Sequence, residues 1–192
     1  MRLLIGLGNP GEQHVRDRHT IGFVCLDAVA KKLGAGKAKQ FKDGELWEIG
    51  SGTTKSLLFK PTQFMNTSGR PVREVVEYFG VAPEDICVIA DDVYIAPGSV
   101  RVRKSGGDGG HNGLKSLLDH SGSDEFWRVK IGVGLYEQHP EHRVHQPPLD
   151  EYVLQPLPAH ERKMVEQAID RVVPKLVEWL EQGTLAEETI HP

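Results

Sequence analysis

The chain has 192 residues, 39% of them hydrophobic, and a formal charge of −4 at neutral pH, which suits one compact domain with a sizeable core. No apolar run approaches the roughly 20 residues of a membrane span. The few apolar residues ahead of the first glycines are too short for a signal-peptide core, so a cytoplasmic protein is expected. The acidic balance argues against binding a polyanion through the whole surface but leaves room for a local basic patch.

Residues 1–7 are apolar almost throughout, as a strand buried on both faces requires. They break into GLGNPGEQHVRDRHTIG, whose first six residues fit G-x-G-x-x-G. Residues 21–33 then place Phe23, Val24, Leu26, Val29, Ala30 and Leu33 at helical spacing and stop at Gly34. Two short strands, 46–49 and 56–60, flank GSGTT as a hairpin. A helix over 69–79 carries Pro71 in its first turn and Gly80 beyond its end.

A buried strand over 85–90 runs into Asp91 and Asp92. Residues 100–104 alternate apolar and basic, as a half-exposed strand would, and 127–133 repeats that alternation. Between them GGDGGHNGLKSLLDH is a glycine loop feeding a helix. A lid-like loop over about 135–150, rich in Pro and His, precedes a long amphipathic helix over 159–181 that Pro174 is expected to kink. Cys25 and Cys87 each lie in apolar runs and read as buried thiols, with one disulfide left open. Strands interleaved with helices and a hairpin give an α/β fold: a single domain over 1–192 with a mixed twisted β-sheet flanked by α-helices.

The G-x-G-x-x-G fit fails on context. A dinucleotide turn needs its third glycine at a helix start, whereas Gly11 is followed by EQHVRDRHT, which lacks an apolar stripe. Pro10 removes an amide donor, and Asp27, at about the spacing of a ribose-binding acid, falls inside the helical run. The loop instead displays Asn9 and brings up His19 at a strand's carboxyl end, where open α/β sheets place their sites.

Three more stretches put polar groups at such ends. PTQFMNTSG sets Met65 and Asn66 before a helix, VIADD sets Asp91 and Asp92 after a buried strand, and SGGDGGHNG brings His111 and Asn112 to a helix mouth. Helix capping, a solvated turn and a flexible loop are the plain alternatives for these three in turn. No G-K-[ST] follows the glycines, so this is not a Walker loop. From these the chain offers His19 as a histidine, Asp91 as a carboxylate and three amides (Asn9, Asn66, Asn112), with no activated Ser or Cys. A histidine paired with a carboxylate is a general base for water, and amides can hold a peptide and steady an oxyanion without titrating. The implied chemistry is hydrolysis of an acyl bond by directed water. Arg101, Arg103, Lys104, Lys115, Arg128 and Lys130 cluster around the glycine loop and suit a phosphate backbone entering one side of the site.

The motifs GLGNPG…RH…G, P-T-x-F-M-N-x-S-G, DD…PG and GGHNGLKS, in this order from Leu3 to about Leu154, resemble bacterial peptidyl-tRNA hydrolase. That resemblance implies a single α/β domain with a mixed sheet, working as a metal-free, cofactor-free monomer. It implies cleavage of the ester joining a peptide to the terminal ribose of tRNA, so peptidyl-tRNA is the expected partner and neither a membrane nor a nicotinamide cofactor is. By the same match His19 is the expected catalytic base and Asp91 the partner that raises its basicity. Asn9 and Asn66 would bind the peptide and terminal-adenosine region, Asn112 would position the water or peptide carbonyl, and Met65 would line the peptide channel. Arg103 and Lys130 fall where the family's tRNA-contacting cations lie, with Lys104 beside them.

The chain departs from the family at several positions. His14, grouped here with the substrate-binding residues, stands where Tyr is usual, Asp17 where Thr is, and Thr20 where Asn is. Tyr94 replaces the second acid after DD, and Lys130 replaces Arg, which keeps the charge but loses the planar fork. The loop holding His139, His142 and His145 replaces a shorter lid and reads as a weakly basic lid more than a metal site. The alternatives are a catalytically inactive RNA-binding module on the same scaffold and a nicotinamide oxidoreductase; the latter rests on G-x-G-x-x-G alone.

Overall fold

The computed structural model describes residues 1–52, 55–137 and 146–192. Its elements run β1 (Arg2–Gly6), α1 (Ile21–Lys32), β2 (Lys39–Gln40), β3 (Gly44–Ile49), β4 (Ser56–Pro61), α2 (Gly69–Phe79) and β5 (Ile86–Asp92). They continue with β6 (Val100–Arg103), α3 (Asn112–Ser121), β7 (Trp127–Gly132), α4 (Leu149–Tyr152), α5 (Ala159–Gln182) and β8 (Glu188–Ile190). The eight strands form one sheet in the order β2-β3-β4-β1-β5-β7-β6-β8. The central four, β4-β1-β5-β7, are parallel, and antiparallel strands flank them on both sides.

Both faces of the sheet are covered, and the central strands show it residue by residue. Leu3, Ile5 and Leu7 join one apolar cluster with α2 and α3, while Leu4 joins the other with α1 and α5. In β5, Val88 and Ala90 point to the first cluster and Cys87 and Ile89 to the second. This two-sided burial explains why β1 and β5 read as continuous apolar runs. Each fully buried side chain of this kind is worth about 1.5–3 kcal/mol against exposure. Cys25 and Cys87 are free and buried, as expected, and burial pushes the Cys25 thiol up to about 12.

The sheet topology also selects where a site forms. From β1 the chain crosses to β4 on one side, whereas β5 lies on the other side of β1. The carboxyl ends of β1 and β5 therefore border the crevice at a topological switch point. Gly22 lets α1 close over this crevice: a Cβ there would sit 2.3 Å from the Leu7 carbonyl oxygen and 2.5 Å from that of Ile89. The glycines of GLGNPG thus serve helix–strand packing, since a Cβ at Gly6 would sit 2.5 Å from the Gly22 oxygen.

Several boundaries differ from the sequence reading. The strand expected over 85–90 extends through Asp92, so both aspartates belong to β5. The helix α5 runs unbroken through Pro174, whose ring is on the exposed face, where water can serve the carbonyl it frees. The two-residue β2, the short α4 and the carboxyl-terminal β8 have no counterpart in the sequence pattern. Arg128, expected on a half-exposed strand, is 1% exposed: its guanidinium stacks 4.0 Å over Phe126 and donates to the Asp124 and Phe126 carbonyls. Residues 138–145 of the 135–150 loop, with His139, His142 and His145, lie outside the described residues.

Candidate active site

Strand parity aims Asp91. It follows Cys87 and Ile89 on the α1 face of β5, and the turn leading into α1 carries His19 above it. That turn is buried over residues 17–20 and is tied to the segment after α4. The His19 N–H donates to the Val153 carbonyl at 3.0 Å, the Arg18 N–H donates to that of Gln155 at 3.2 Å, and Asp17 bridges Pro156. Arg18 is the staple. Its guanidinium lies 4.2 Å over the Tyr152 ring and donates to the Val133, Tyr152, Gln155 and Pro156 carbonyls at 3.1–3.4 Å. The arginine of the Arg-His pair holds the catalytic turn in place through backbone acceptors, which no sequence motif displays.

His19 Nδ1 lies 3.0 Å from both carboxylate oxygens of Asp91. Asp91 is 1% exposed and receives a second donor, His111 Nε2, at 3.0 Å from Oδ1. The two rings lie 4.7 Å apart between centroids, tilted by 55°. His111 is the N-cap of α3, and its Nδ1 accepts from the Gly113 and Leu114 N–H groups at 3.1 and 3.2 Å. Accepting at Nδ1 leaves the proton on Nε2, facing Asp91. Asp91 in turn selects the Nδ1–H tautomer of His19, so Nε2 is the nitrogen left with a free lone pair.

The electrostatics follow from this packing. Burial pulls the His19 imidazolium down, but the charge of Asp91, its hydrogen bond and the charge of Asp17 outweigh it, so His19 titrates above its ordinary value. Burial would raise Asp91, and His19 and His111 overcome it to hold the carboxyl well below the usual carboxylate range. The pair is an anionic carboxylate beneath an imidazole of raised basicity.

His19, Asp91 and His111 bring ligand atoms within 4.8 Å of one another, a spacing that a metal could use. The donor chemistry fits a hydrogen-bonded cluster instead. A metal on His111 Nε2 would need that lone pair and drive the proton to Nδ1, against the two N–H groups that Nδ1 now accepts.

His19, Asp91, Asn112 and Lys130 line one cleft of about 270 Å³, together with His111 and Tyr94. Asn9, Met65, Asn66 and His14 lie outside that lining. Asn9 is buried and its Oδ1 accepts the Met65 N–H at 3.0 Å, which ties the β1 loop to the turn before α2. Met65 is itself buried under the first turn of α3, its sulfur 2.4 Å from where a Cβ on Gly113 would stand. Asn66 and Phe64 are exposed beside it. His14 pairs with the buried Asp17 at 2.6 Å. These two replacements therefore meet as a hydrogen-bonded pair beside the turn that carries His19.

The cations divide. Arg101, Arg103, Arg128 and Lys130 border a second depression, which shares Gly109 and Lys130 with the cleft and so continues from it. Lys130 Nζ pairs with Asp92 at 3.3 Å, and Arg103 donates to the Glu188 carbonyl and Thr189 hydroxyl of β8. Lys104 borders a different depression, with Glu84, Ser105 and Glu125. His111, which the sequence reading set at the helix mouth without giving it a role, joins the cluster on Asp91; its signal was its place one residue before the helix.

Residues 3–191 match the family described as peptidyl-tRNA hydrolase. The peptidyl-tRNA hydrolase of Desulfitobacterium hafniense is 37% identical over 183 residues, 95% of each chain. That of a Methylobacterium species is 42% identical over 172 residues, 88% of this chain and 80% of its own. The crystal structure of peptidyl-tRNA hydrolase from Acinetobacter baumannii is similar with a TM-score of 0.84 at 31% identity, covering 95% of this chain and 89% of that one.

Proposed function

The chain belongs to the peptidyl-tRNA hydrolase family, and from that premise we propose that His19, held by Asp91, activates the water that cleaves its substrate. The reaction is hydrolysis of the ester between peptide and tRNA, giving free tRNA and free peptide. The observation that carries the mechanism is the buried bond from His19 Nδ1 to Asp91, 3.0 Å to both oxygens, at the wall of the cleft.

In this reading Nε2 of His19 takes a proton from water as the oxygen attacks the ester carbonyl. Asp91 stabilises the imidazolium that forms, and the proton then passes to the departing ribose oxygen as the acyl–oxygen bond breaks. General base catalysis of this kind supplies about 10²–10⁴-fold. An alkoxide leaves far more readily than an amide nitrogen, so no covalent intermediate is needed. Asn112, exposed on the cleft, offers its amide to the water or the developing oxyanion. The depression bordered by Arg101, Arg103 and Lys130 opens from the same cleft and suits the tRNA phosphates. The exposed Asn66 and Phe64, beside the buried pair Asn9 and Met65, offer a surface for the peptide, and His14 is assigned to substrate binding with them. The enzyme is read as a cytoplasmic monomer, and among the described residues no helix is long and apolar enough to cross a membrane.

The test is turnover. The wild type should release peptide from peptidyl-tRNA, and His19→Ala should lose about 100-fold or more of the single-turnover rate while still binding tRNA. An inactive RNA-binding module would bind tRNA and release nothing; near-normal release by His19→Ala would overturn the role of His19.

A further inference from the structure

We propose that His111 is a positioning residue for the reaction: as the N-cap of α3 its ring is locked in the Nε2–H tautomer, and it holds Asp91 in the orientation that serves His19. This rests on the hydrolase reading above but concerns a residue whose two ring nitrogens are both engaged within the protein.

The argument begins with the cap. An imidazole has one lone pair when neutral, and here it faces the Gly113 and Leu114 N–H groups. A second proton on the ring would turn that acceptor into a donor and set it against both. The cap as built therefore uses Nδ1 as its acceptor. The opposite nitrogen can then only donate, and its donor lies 3.0 Å from Asp91 Oδ1. Asp91 cannot swing away from His19 without abandoning that bond in a site where an unpaired carboxylate is costly.

The cap also links two parts of the site. Asn112 is the first residue of α3 and lines the cleft, so the element that fixes Asp91 also carries the amide facing the substrate. Gly113 keeps this turn close-packed, since a Cβ there would meet the Met65 sulfur at 2.4 Å and His111 Cε1 at 3.1 Å.

The charge balance gives His111 a signature. The groups acting on His19 are Asp91 from β5 and Asp17 from its own turn, and His111 from α3 acts through Asp91. Of the neighbouring charges, Lys130 pairs with Asp92 and Arg18 with Glu161, and Asp150 of α4 lines the same cleft. A donor on Asp91 draws off part of the negative charge that His19 feels. Removing that donor makes Asp91 a stronger attractor for a proton on His19. The acid limb of the rate profile then moves to higher pH, even as the rate falls because the carboxylate is no longer held.

Two variants separate cap from reach. In His111→Asn the side-chain oxygen can replace Nδ1 as a cap, but the side chain is too short to reach Asp91. In His111→Gln the amide can reach for Asp91 and the cap is lost. His111→Asn should keep the wild-type thermal midpoint, lose about tenfold in kcat with KM changed less than about twofold, and shift its acid limb up by about half a pH unit. His111→Gln should return the limb toward the wild-type position. Independently of activity, nitrogen NMR of the wild type should find the His111 ring with its proton on Nε2 and Nδ1 accepting, as the cap and the bond to Asp91 require. A His111→Asn enzyme with wild-type kcat and acid limb, a limb that moves down, or a His111 ring with its proton on Nδ1 would each overturn the proposal. A wild type that releases no peptide would instead overturn the hydrolase reading, and the NMR result would still stand or fall by itself.

Discussion

The carboxyl end of β5 and the rim formed by β6 and β7 lie within one strand of each other and are built on opposite terms. At the first, His19, Asp91 and His111 are all buried, and both carboxylate oxygens have donors. At the second, Arg101 is exposed, Arg103 leans on β8 and Lys130 shares Asp92. The difference reflects what each region has to do. Moving a proton, the role proposed for the first, requires one geometry and a low local dielectric, so the cluster is buried and over-determined. Phosphate contacts sum over several cations and are screened by salt, so no single one needs to be held as tightly.

Breaking the cluster should cost most. Asp91→Asn replaces an acceptor of two imidazole N–H donors with an amide that can accept from only one side, so the His19 tautomer is no longer fixed. Single-turnover release should fall by about 10²–10⁴-fold with tRNA binding retained. Breaking the rim should cost less and in another quantity. Lys130→Ala should weaken tRNA binding and reduce its salt slope by about 1, with the loss on KM far more than on kcat. If that variant instead lost its rate at saturating substrate, the division between the two regions would be wrong.

The smallest effect tests a feature particular to this chain. Asp17, paired with His14, adds negative charge that raises His19. Taking that charge away lowers the His19 value, so the base is free at a lower pH. Asp17→Asn should therefore move the acid limb down by a few tenths of a pH unit, the reverse of His111→Asn. A pH profile read to that precision decides whether the His14–Asp17 pair tunes the base or only packs beneath it.

Much of this arrangement was legible in the sequence where periodicity or burial leaves a pattern. The apolar run of residues 1–7, the helical stripe through Phe23, Leu26 and Val29 and the GSGTT hairpin all form as their spacing requires. Continuing the alternation through Cys87 and Ile89 also places Asp91 on the α1 face, which makes its meeting with His19 a consequence of parity. What did not show has a physical reason in each case. The strand β2 has two exposed polar residues, and β8 is a half-buried edge, so neither carries a hydrophobic rhythm. The role of Arg18 depends on carbonyl acceptors from a distant turn, and that of His111 on a ring reaching back from a helix cap. The burial of Arg128 depends on Phe126 lying flat beneath it, which the basic alternation of β7 concealed.

The central claim is that a buried, Asp91-held imidazole takes the proton from water. Single-turnover peptide release measured from pH 5 to 9, with saturating enzyme, tests it most directly. The account predicts a rate that rises with pH along one ionisation above the ordinary histidine value of about 6.5 and then levels off, and a His19→Ala rate that is low and lacks this ionisation. A wild-type rate that is flat across this range, or a His19→Ala profile that keeps the same ionisation, would contradict it.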